Sequence, residues 1–371
     1  MRILYVTTIA PTMEFFYSYI KELIDAGHTV AISSNLQDDR ALSSYYEWGC
    51  KVYSIDTSRS PFSIGNLKAI GQIRKIVEEG NYDIVHCHTP IAAACTRLAC
   101  RSLRKKGVKV LYTAHGFHFY TGAPLKNWLI FYTIEKLCAR WTDVLVTINK
   151  EDYCRALEKL HACKVVYVPG VGLDVSMFAD TQIDRATKRK ALGVPEDAFL
   201  LCSVGELNEN KNQEVIIRAM AKVENSNVHY ILAGEGGKKE YLLQLAQALG
   251  LGDRVHLLGY RTDANELYKA SDLFVHPSIR EGLPVSVMEA MASGLPVISS
   301  ANRGCKDLID EERGTLCDSY DADAFAREIS AYCSSEELCH RIGAANALWV
   351  QRMDKSVINK EMKEIYQDAV S

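Results

Sequence analysis

The sequence predicts an α/β protein made of two doubly wound units facing a cleft. Three observations carry that expectation. Short β-branched runs alternate with longer amphipathic stretches along the whole chain, the pattern of parallel sheets covered by helices. At 371 residues the chain exceeds one ordinary core and suits two domains of roughly 150 to 200 residues each. The rhythm lapses once, in the charged segment TQIDRATKRKALGVPED with Gly193 and Pro195 as punctuation, and then restarts.

In order along the first half, the expected strands are ILYVTT (3–8), TVAISS (29–34), KVYSI (51–55), IVHCH (84–88), VLYTAH (110–115), VLVTI (144–148) and VVYVP (165–169), with helical patterns in the intervals. After the lapse come FLLCSVG (199–205), HYILAG (229–234), VHLLG (255–259), LFVHPS (273–278), PVISS (296–300) and GTLCD (314–318). The two runs make two Rossmann-like domains, over 1–180 and 198–345. Ser335 to Val370 reads as helices, and in a two-domain arrangement the stretch 346–371 can cross back to brace the first domain. Ligands of such sheets sit beyond the carboxyl ends of the strands.

Apolar residues make up 48%, enough for two cores, and a net charge of −3 gives no general basic character for neutralising phosphates, so no nucleic-acid partner is expected. The 12 cysteines are scattered, without a C-x-x-C pair or a histidine cluster at metal-ligand spacing; most sit in apolar runs, as reduced core thiols of a cytoplasmic protein would. MRILYVTT enters a strand directly, with no signal-peptide pattern. The most apolar helical stretch, Trp128 to Leu137, is broken by Glu135 and Lys136 and falls short of the about 20 residues that a membrane span requires.

The stretch REGLPVSVME (280–289) sets Glu281 and Glu289 at either end of seven mostly apolar residues. Pro284 suits the first turn of a helix and Gly294 its stop, so a helix is expected over 284–293, with Glu281 in the loop ahead of it and Glu289 inside it. Val285, Val287, Met288, Ala290, Met291 and Ala292 would bury most of the face around Glu289, and an unpartnered carboxylate there costs several kcal/mol. An internal ion pair or helix contact would satisfy it, and so would the paired hydroxyls of a ribose. Gly282 lets backbone approach a ligand closely, and a helix N-terminus attracts phosphate. An acid, a glycine, a helix start and a second acid suit a sugar nucleotide: Glu281 toward the sugar, backbone amides toward phosphate, Glu289 toward ribose.

REGLPVSVME, preceded by PS and continued by AMASGLPVI, resembles the E-x7-E motif of the retaining glycosyltransferases of family 4, which have the GT-B fold, and the likeness runs over nearly the whole chain. DIVHCHTP, VLYTAHGFHF and GAPLKNW are similar to the branch that builds bacterial capsular and extracellular polysaccharides. The resemblance implies an acceptor-side first domain and a donor domain second. It also implies a nucleotide-sugar co-substrate, with a UDP-sugar as the default, and neither cofactor nor metal. The transferred group would be a hexosyl or N-acetylhexosaminyl unit, and the acceptor a saccharide or a polyprenyl-diphosphate-linked saccharide.

Catalysis is then expected of Glu281, His115 and Lys211. Lys211, in GELNENKNQEVIIRAM near a helix start, is unfavourable against the helix macrodipole unless an anion is present, and diphosphate is a fitting partner. His115, at a strand end in YTAHGFHFY, is assigned to the transferred sugar or the leaving phosphate. Donor contacts are expected from Arg280, Gly282, Leu283, Pro284 and Glu289, from Gly205, from Gly234 and Gly236 of AGEGGKK, from Gly259 and Tyr260 of VHLLGY, and from Arg303. One departure stands out: Glu206 occupies the place of the family's loop arginine, with Arg280 or Arg303 as candidate replacement. His88, His118 and Thr12 are the acceptor-side candidates, although the loop of Thr12, TTIAPTMEFF, lacks the glycine pair that the family often carries. No carboxylate reads as a nucleophile, so the resemblance implies a front-face route in which the diphosphate helps to take the acceptor proton.

Two rivals share the architecture. A sugar-nucleotide epimerase would need its own acid–base pairs; a non-catalytic nucleotide-sugar-binding subunit is kept in play by Glu206. The DAD triplet at 321–323 reads as a helix start with acids in its first turn rather than as a metal site. TRLACRSLRKKGVK (96–109), an apolar stripe with five cations before Val108, is either a solvated helix end or a patch for anionic lipid at the inner face of the cytoplasmic membrane.

Overall fold

The computed structural model describes residues 1–371 and divides the chain into two units, Met1–Gly172 with Lys355–Ser371, and Leu173–Asp354. The first unit holds β1 (Arg2–Ile9), β2 (Thr29–Asn35), β3 (Lys51–Ser54), β4 (Ile84–His88), β5 (Lys109–Ala114), β6 (Val144–Thr147) and β7 (Lys164–Tyr167), in the order β3-β2-β1-β4-β5-β6-β7. The second holds β8 (Phe199–Val204), β9 (Val228–Ala233), β10 (Val255–Gly259), β11 (Leu273–His276), β12 (Val297–Ser300) and β13 (Thr315–Cys317), in the order β10-β9-β8-β11-β12-β13. All strand pairings are parallel, so each unit is α/β and Rossmann-like as the sequence predicts.

A parallel sheet covered on both faces lets both sides of a strand be apolar, which is why these strands read as runs rather than as alternations. In β1, Leu4 and Val6 pack in one layer with Ala69, Ile73 and Ala92, while Ile3 and Tyr5 face the other with Ile20 and Leu23. Each sheet reverses its winding once, between β1 and β4 in the first and between β8 and β11 in the second. The carboxyl ends of those strand pairs are where such sheets accept ligands.

The C-terminal helix Lys355–Val370 belongs to the first unit. Its buried stripe of Ile358, Met362, Tyr366 and Ala369, at helical spacing, joins the layer of Ile20 and Leu23. Asn359 and Lys363 both donate to the Glu22 carboxylate, at 2.6 and 2.7 Å.

The domain boundary expected in the charged segment after Ala179 falls at Leu173 instead. Asp184 caps the helix Arg185–Ala191 by accepting from the Thr187 amide, and the buried Arg189 donates to the carbonyls of Ala270, Glu196 and Ala198 and to Asp272 at 2.6 Å. Charge interrupts the hydrophobic rhythm there because an arginine ties the segment to the start of β11. In DAD, Asp321 caps the helix Ala322–Cys333 by accepting from the Ala324 amide, and Asp323 pairs with Lys222 at 2.6 Å.

The basic run 96–109 also differs from its composition. Arg97 is fully buried in the helix Pro90–Cys100 and donates to Glu135 at 2.7 Å, while Arg104 pairs with Asp143 at 2.6 Å. The apolar stripe of Ala99, Cys100 and Leu103 faces the core, which leaves only Arg101, Lys105 and Lys106 of the five cations exposed. A buried ion pair that loses one member strands the other, so Glu135→Ala should lower the unfolding free energy by about 3–5 kcal/mol in urea titration, and adding Arg97→Leu should recover part of that loss. No helix is long and apolar enough to cross a membrane.

Candidate active site

β8 and β11 are neighbours at the reversal of the second sheet, so two loops 70 residues apart in sequence leave their carboxyl ends side by side. Asparagines knit them together. Asn208 Oδ1 accepts from the Lys211 amide (2.9 Å), Asn210 Nδ2 donates to the Arg280 carbonyl (3.0 Å), and the Ile279 amide donates to the Asn210 carbonyl (2.8 Å). Asn212, held at φ +51°, donates to the Ser319 carbonyl at 2.6 Å. This body aims Lys211 Nζ at Glu281 Oε1, 2.7 Å away. The following helix begins only at Glu214, so the anion that balances Lys211 in this structure is the Glu281 carboxylate.

Burial alone would raise the Glu281 carboxyl, but His276 and the Lys211 ammonium outweigh it and hold the group well below the usual carboxylate range. Burial also pushes the His276 imidazole down, so the standing positive charge at neutral pH is that of Lys211. His276 Nε2 lies 3.3 Å from the same Glu281 oxygen, close enough to favour the ionised carboxyl, and this buried nitrogen has no other partner. Sequence reasoning missed His276. Its signal was a histidine closing the strand LFVHPS, five residues before Glu281.

The expected helix is present as Val285–Ala292, with Pro284 at its N-cap. Glu289 sits inside it between the buried Met288 and Ala290. Its Oε2 accepts from the Tyr268 hydroxyl at 2.7 Å, and Oε1 takes no protein hydrogen bond. Burial raises the Glu289 carboxyl above its ordinary value, with the Tyr268 hydrogen bond working the other way. The acid is therefore half satisfied by protein. Tyr268, on the helix Ala264–Ala270, gave no local pattern that could have predicted it.

Around this centre the glycines have a packing reason of their own. The Gly205 amide donates to the Ala233 carbonyl (2.9 Å) and the Gly234 amide to the Gly259 carbonyl (2.8 Å), which ties together the ends of β8, β9 and β10. At Gly234, with φ +152°, a Cβ would stand 1.9 Å from the Gly205 carbonyl oxygen. The Gly282 carbonyl oxygen lies 2.6 Å from where a Cβ on Gly304 would stand, so Gly304 lets its helix pack against this loop. Leu283 is buried, whereas Tyr260 and Glu206 are exposed. Arg303, at the start of the helix Arg303–Leu308, is buried and donates from Nε to the Glu281 carbonyl at 3.1 Å. The Arg280 guanidinium makes no protein hydrogen bond.

In the first unit the structure brings His88 and His115 together at the carboxyl ends of β4 and β5. His88 Nδ1 and His115 Nε2 share a hydrogen bond at 3.1 Å, and the Phe16 ring lies 4.2 Å from the His88 ring. Burial pushes His115 down to about 4; burial, then His86 and His115, push His88 well below its ordinary value, so both are neutral at neutral pH. His88 Nε2 is buried without a hydrogen bond. His86 stands beside them, bonded to Thr113 (2.8 Å) and to Tyr366 of the C-terminal helix (2.5 Å), a support that the sequence did not reveal. His118 stacks on Phe131 with ring centres 4.5 Å apart, and Thr12 lies in the 3-10 turn Ala10–Phe16.

Residues 2–149 match the family described as "Glycosyl transferase 4-like", and residues 184–349 match "Glycosyl transferases group 1". EpsD of Bacillus subtilis (strain 168), classed as a glycosyltransferase, is 37% identical over 98% of this chain and 96% of its own length. The UDP-Gal:alpha-D-GlcNAc-diphosphoundecaprenol alpha-1,3-galactosyltransferase of Escherichia coli is 28% identical over 89% of this chain and 87% of its own. Among solved structures, Anabaena Alr3699/HepE in complex with UDP and glucose is similar with a TM-score of 0.82 at 20% identity, over 99% of this chain and 100% of that one. At that identity the likeness speaks for a shared GT-B-type fold alone.

Proposed function

Because the chain belongs to the glycosyl transferases of group 1, we propose that it transfers a sugar, with retention, from a UDP-sugar to a saccharide or polyprenyl-diphosphate-linked acceptor in bacterial polysaccharide biosynthesis. The observation that carries this reading is the Lys211–Glu281 pair. A cation and an acid are held 2.7 Å apart at the winding reversal of the second sheet, directly ahead of a helix that contains a half-satisfied acid. The name of the Escherichia coli relative, with its UDP-sugar and its lipid diphosphate, supports the choice of donor and acceptor.

A diphosphate at the start of the Val285–Ala292 helix meets the first-turn amides and draws Lys211 away from Glu281. His276 Nε2, already 3.3 Å away, then donates to the freed carboxylate, and Glu281 accepts hydroxyls of the sugar. Arg280, without a protein partner, supplies the second cation that Glu206 cannot; Arg303 braces the loop through the Glu281 carbonyl. Glu289 Oε1 accepts from ribose.

In the transfer itself the acceptor oxygen bonds to the anomeric carbon as the bond from that carbon to the diphosphate oxygen breaks, and the acceptor proton passes to the leaving diphosphate. Lys211, Arg280 and the helix amides stabilise the charge that develops there, without a metal. His115 keeps the role that its motif implies, contact with the transferred sugar or the leaving phosphate, with His88 fixing its ring.

A mass-spectrometric screen of UDP- and GDP-sugars against lipid-linked acceptors tests the reading. Product from a UDP-sugar supports it; sugar interconversion without acceptor would mean an epimerase, and UDP binding without turnover a binding subunit. Glu289→Ala should weaken UDP by about 10-fold or more, the worth of a hydrogen bond to a charged group. Because the Glu289 carboxyl is raised above its ordinary 4.5, protonation removes the acceptor early, and UDP affinity should fall on acidification while still above that pH. Titration calorimetry across pH checks both, and Glu289→Gln should flatten the pH dependence.

A further inference from the structure

The five most exposed large apolar side chains of the first unit gather in two segments that are far apart in sequence. Phe62, Ile64 and Leu67 are 80%, 75% and 71% exposed, in the loop after β3 and the start of the helix Ile64–Gly80. Leu125 and Leu129 are 73% and 65% exposed, in the turns that lead into the helix Thr133–Ala139.

Topology brings the segments to one rim. Each leaves the carboxyl end of a strand, β3 or β5, and each opens a helix that packs beside Pro90–Cys100 in the layer of Ala69, Ala92 and Ala139. They therefore flank the start of that middle helix, separated by two helix spacings, roughly 16–20 Å. His88 and His115 lie at the same carboxyl edge, at the ends of β4 and β5.

The segments that carry them hold cations and no acid, with Asp56 and Glu151 at their borders. Arg59, Lys68 and Lys126 are exposed and unpaired among these side chains, and no acid occurs between Asp56 and Glu78 or between Ala114 and Glu135. Apolar patches of this kind mark contacts with protein or membrane. The core of a protein interface depletes lysine, whereas an anionic headgroup layer takes apolar side chains and cations together.

We propose that Phe62, Ile64, Leu67, Leu125 and Leu129, with Arg59, Lys68 and Lys126, form a docking face for an anionic membrane surface. It is a different surface from the 96–109 run, whose apolar stripe is buried. The inference rests on the lipid-linked acceptor proposed above. Such an acceptor must offer its diphosphate-linked sugar at the carboxyl edge of the first sheet while its chain stays in the bilayer.

Co-sedimentation with sucrose-loaded vesicles tests it, using phosphatidylcholine alone and phosphatidylcholine mixed with phosphatidylglycerol. The protein should bind the mixed vesicles far better. Phe62→Ser/Ile64→Ser/Leu67→Ser and Leu125→Ser/Leu129→Ser should each reduce partitioning by at least about 10-fold. Arg59→Gln/Lys68→Gln/Lys126→Gln should weaken binding and remove most of its salt dependence. Cooperative unfolding followed by circular dichroism and unchanged UDP affinity would show the variants to be folded. Equal sedimentation of parent and variants would overturn the proposal, as would a concentration-dependent dimer that the same substitutions dissolve. Vesicle binding is read without turnover, so failure of the parent to bind UDP would sink the donor reading and not this one.

Discussion

Glu281→Ala should abolish sugar transfer, a loss of about 10³-fold or more in kcat, while UDP binds as tightly as before or more tightly. The sign of the second effect is the informative part. Without a ligand, Lys211 is held by Glu281 at 2.7 Å, so the carboxylate competes with the diphosphate for the same ammonium. Removing the acid frees the lysine for the nucleotide and deletes only the group that meets the sugar. Turnover assays alongside UDP titration check the pair of outcomes, and unchanged turnover would remove Glu281 from the chemistry.

Lys211→Met should do the opposite to binding. A charge-assisted hydrogen bond to diphosphate contributes about 1.5–3 kcal/mol, so UDP affinity should fall by about 10-fold or more, and kcat by a further 10²- to 10³-fold because the leaving group loses its nearest cation. The substitution also acts on Glu281. In the parent, Lys211 and His276 outweigh burial and keep the carboxyl low. With Lys211 gone, His276 alone opposes burial, and the Glu281 carboxyl rises from its parent position. The acid limb of the pH–rate profile should therefore move to higher pH than in the parent. Lys211→Arg should restore UDP affinity in part. A pH–rate profile identical to the parent's would contradict the coupling between these two residues.

Much of the scaffold was legible because it rests on local pattern. The strands are continuous apolar runs, and two covered parallel sheets require such runs. The helix behind Glu281 could be placed from Pro284 and Gly294. What escaped depends on partners brought together by topology. Lys211 and Glu281 meet because β8 and β11 are adjacent, and strand order is not written in either loop. Arg97 looked like a surface cation because its partner Glu135 lies on another helix, and the buried pair was visible only once both helices were packed. The segment holding Arg189 looked like a domain boundary for the same reason, since the Asp272 that anchors it lies 83 residues further on.

The acids of REGLPVSVME show both sides of this limit. Their spacing announced a site, and burial of Glu289 demanded a partner. Pattern did not reveal that Tyr268 supplies half of that partner, or that Glu281 rests against Lys211 until something displaces it. His88 and His115 were each visible as strand-end histidines; their shared hydrogen bond follows from the pairing of β4 with β5.

A crystal structure with UDP bound tests the central claim most directly. It should show Lys211 Nζ moved from Glu281 to the β-phosphate, His276 Nε2 closed onto the vacated carboxylate, and Glu289 Oε1 accepting from a ribose hydroxyl. UDP bound elsewhere, with the Lys211–Glu281 contact still at 2.7 Å, would contradict it.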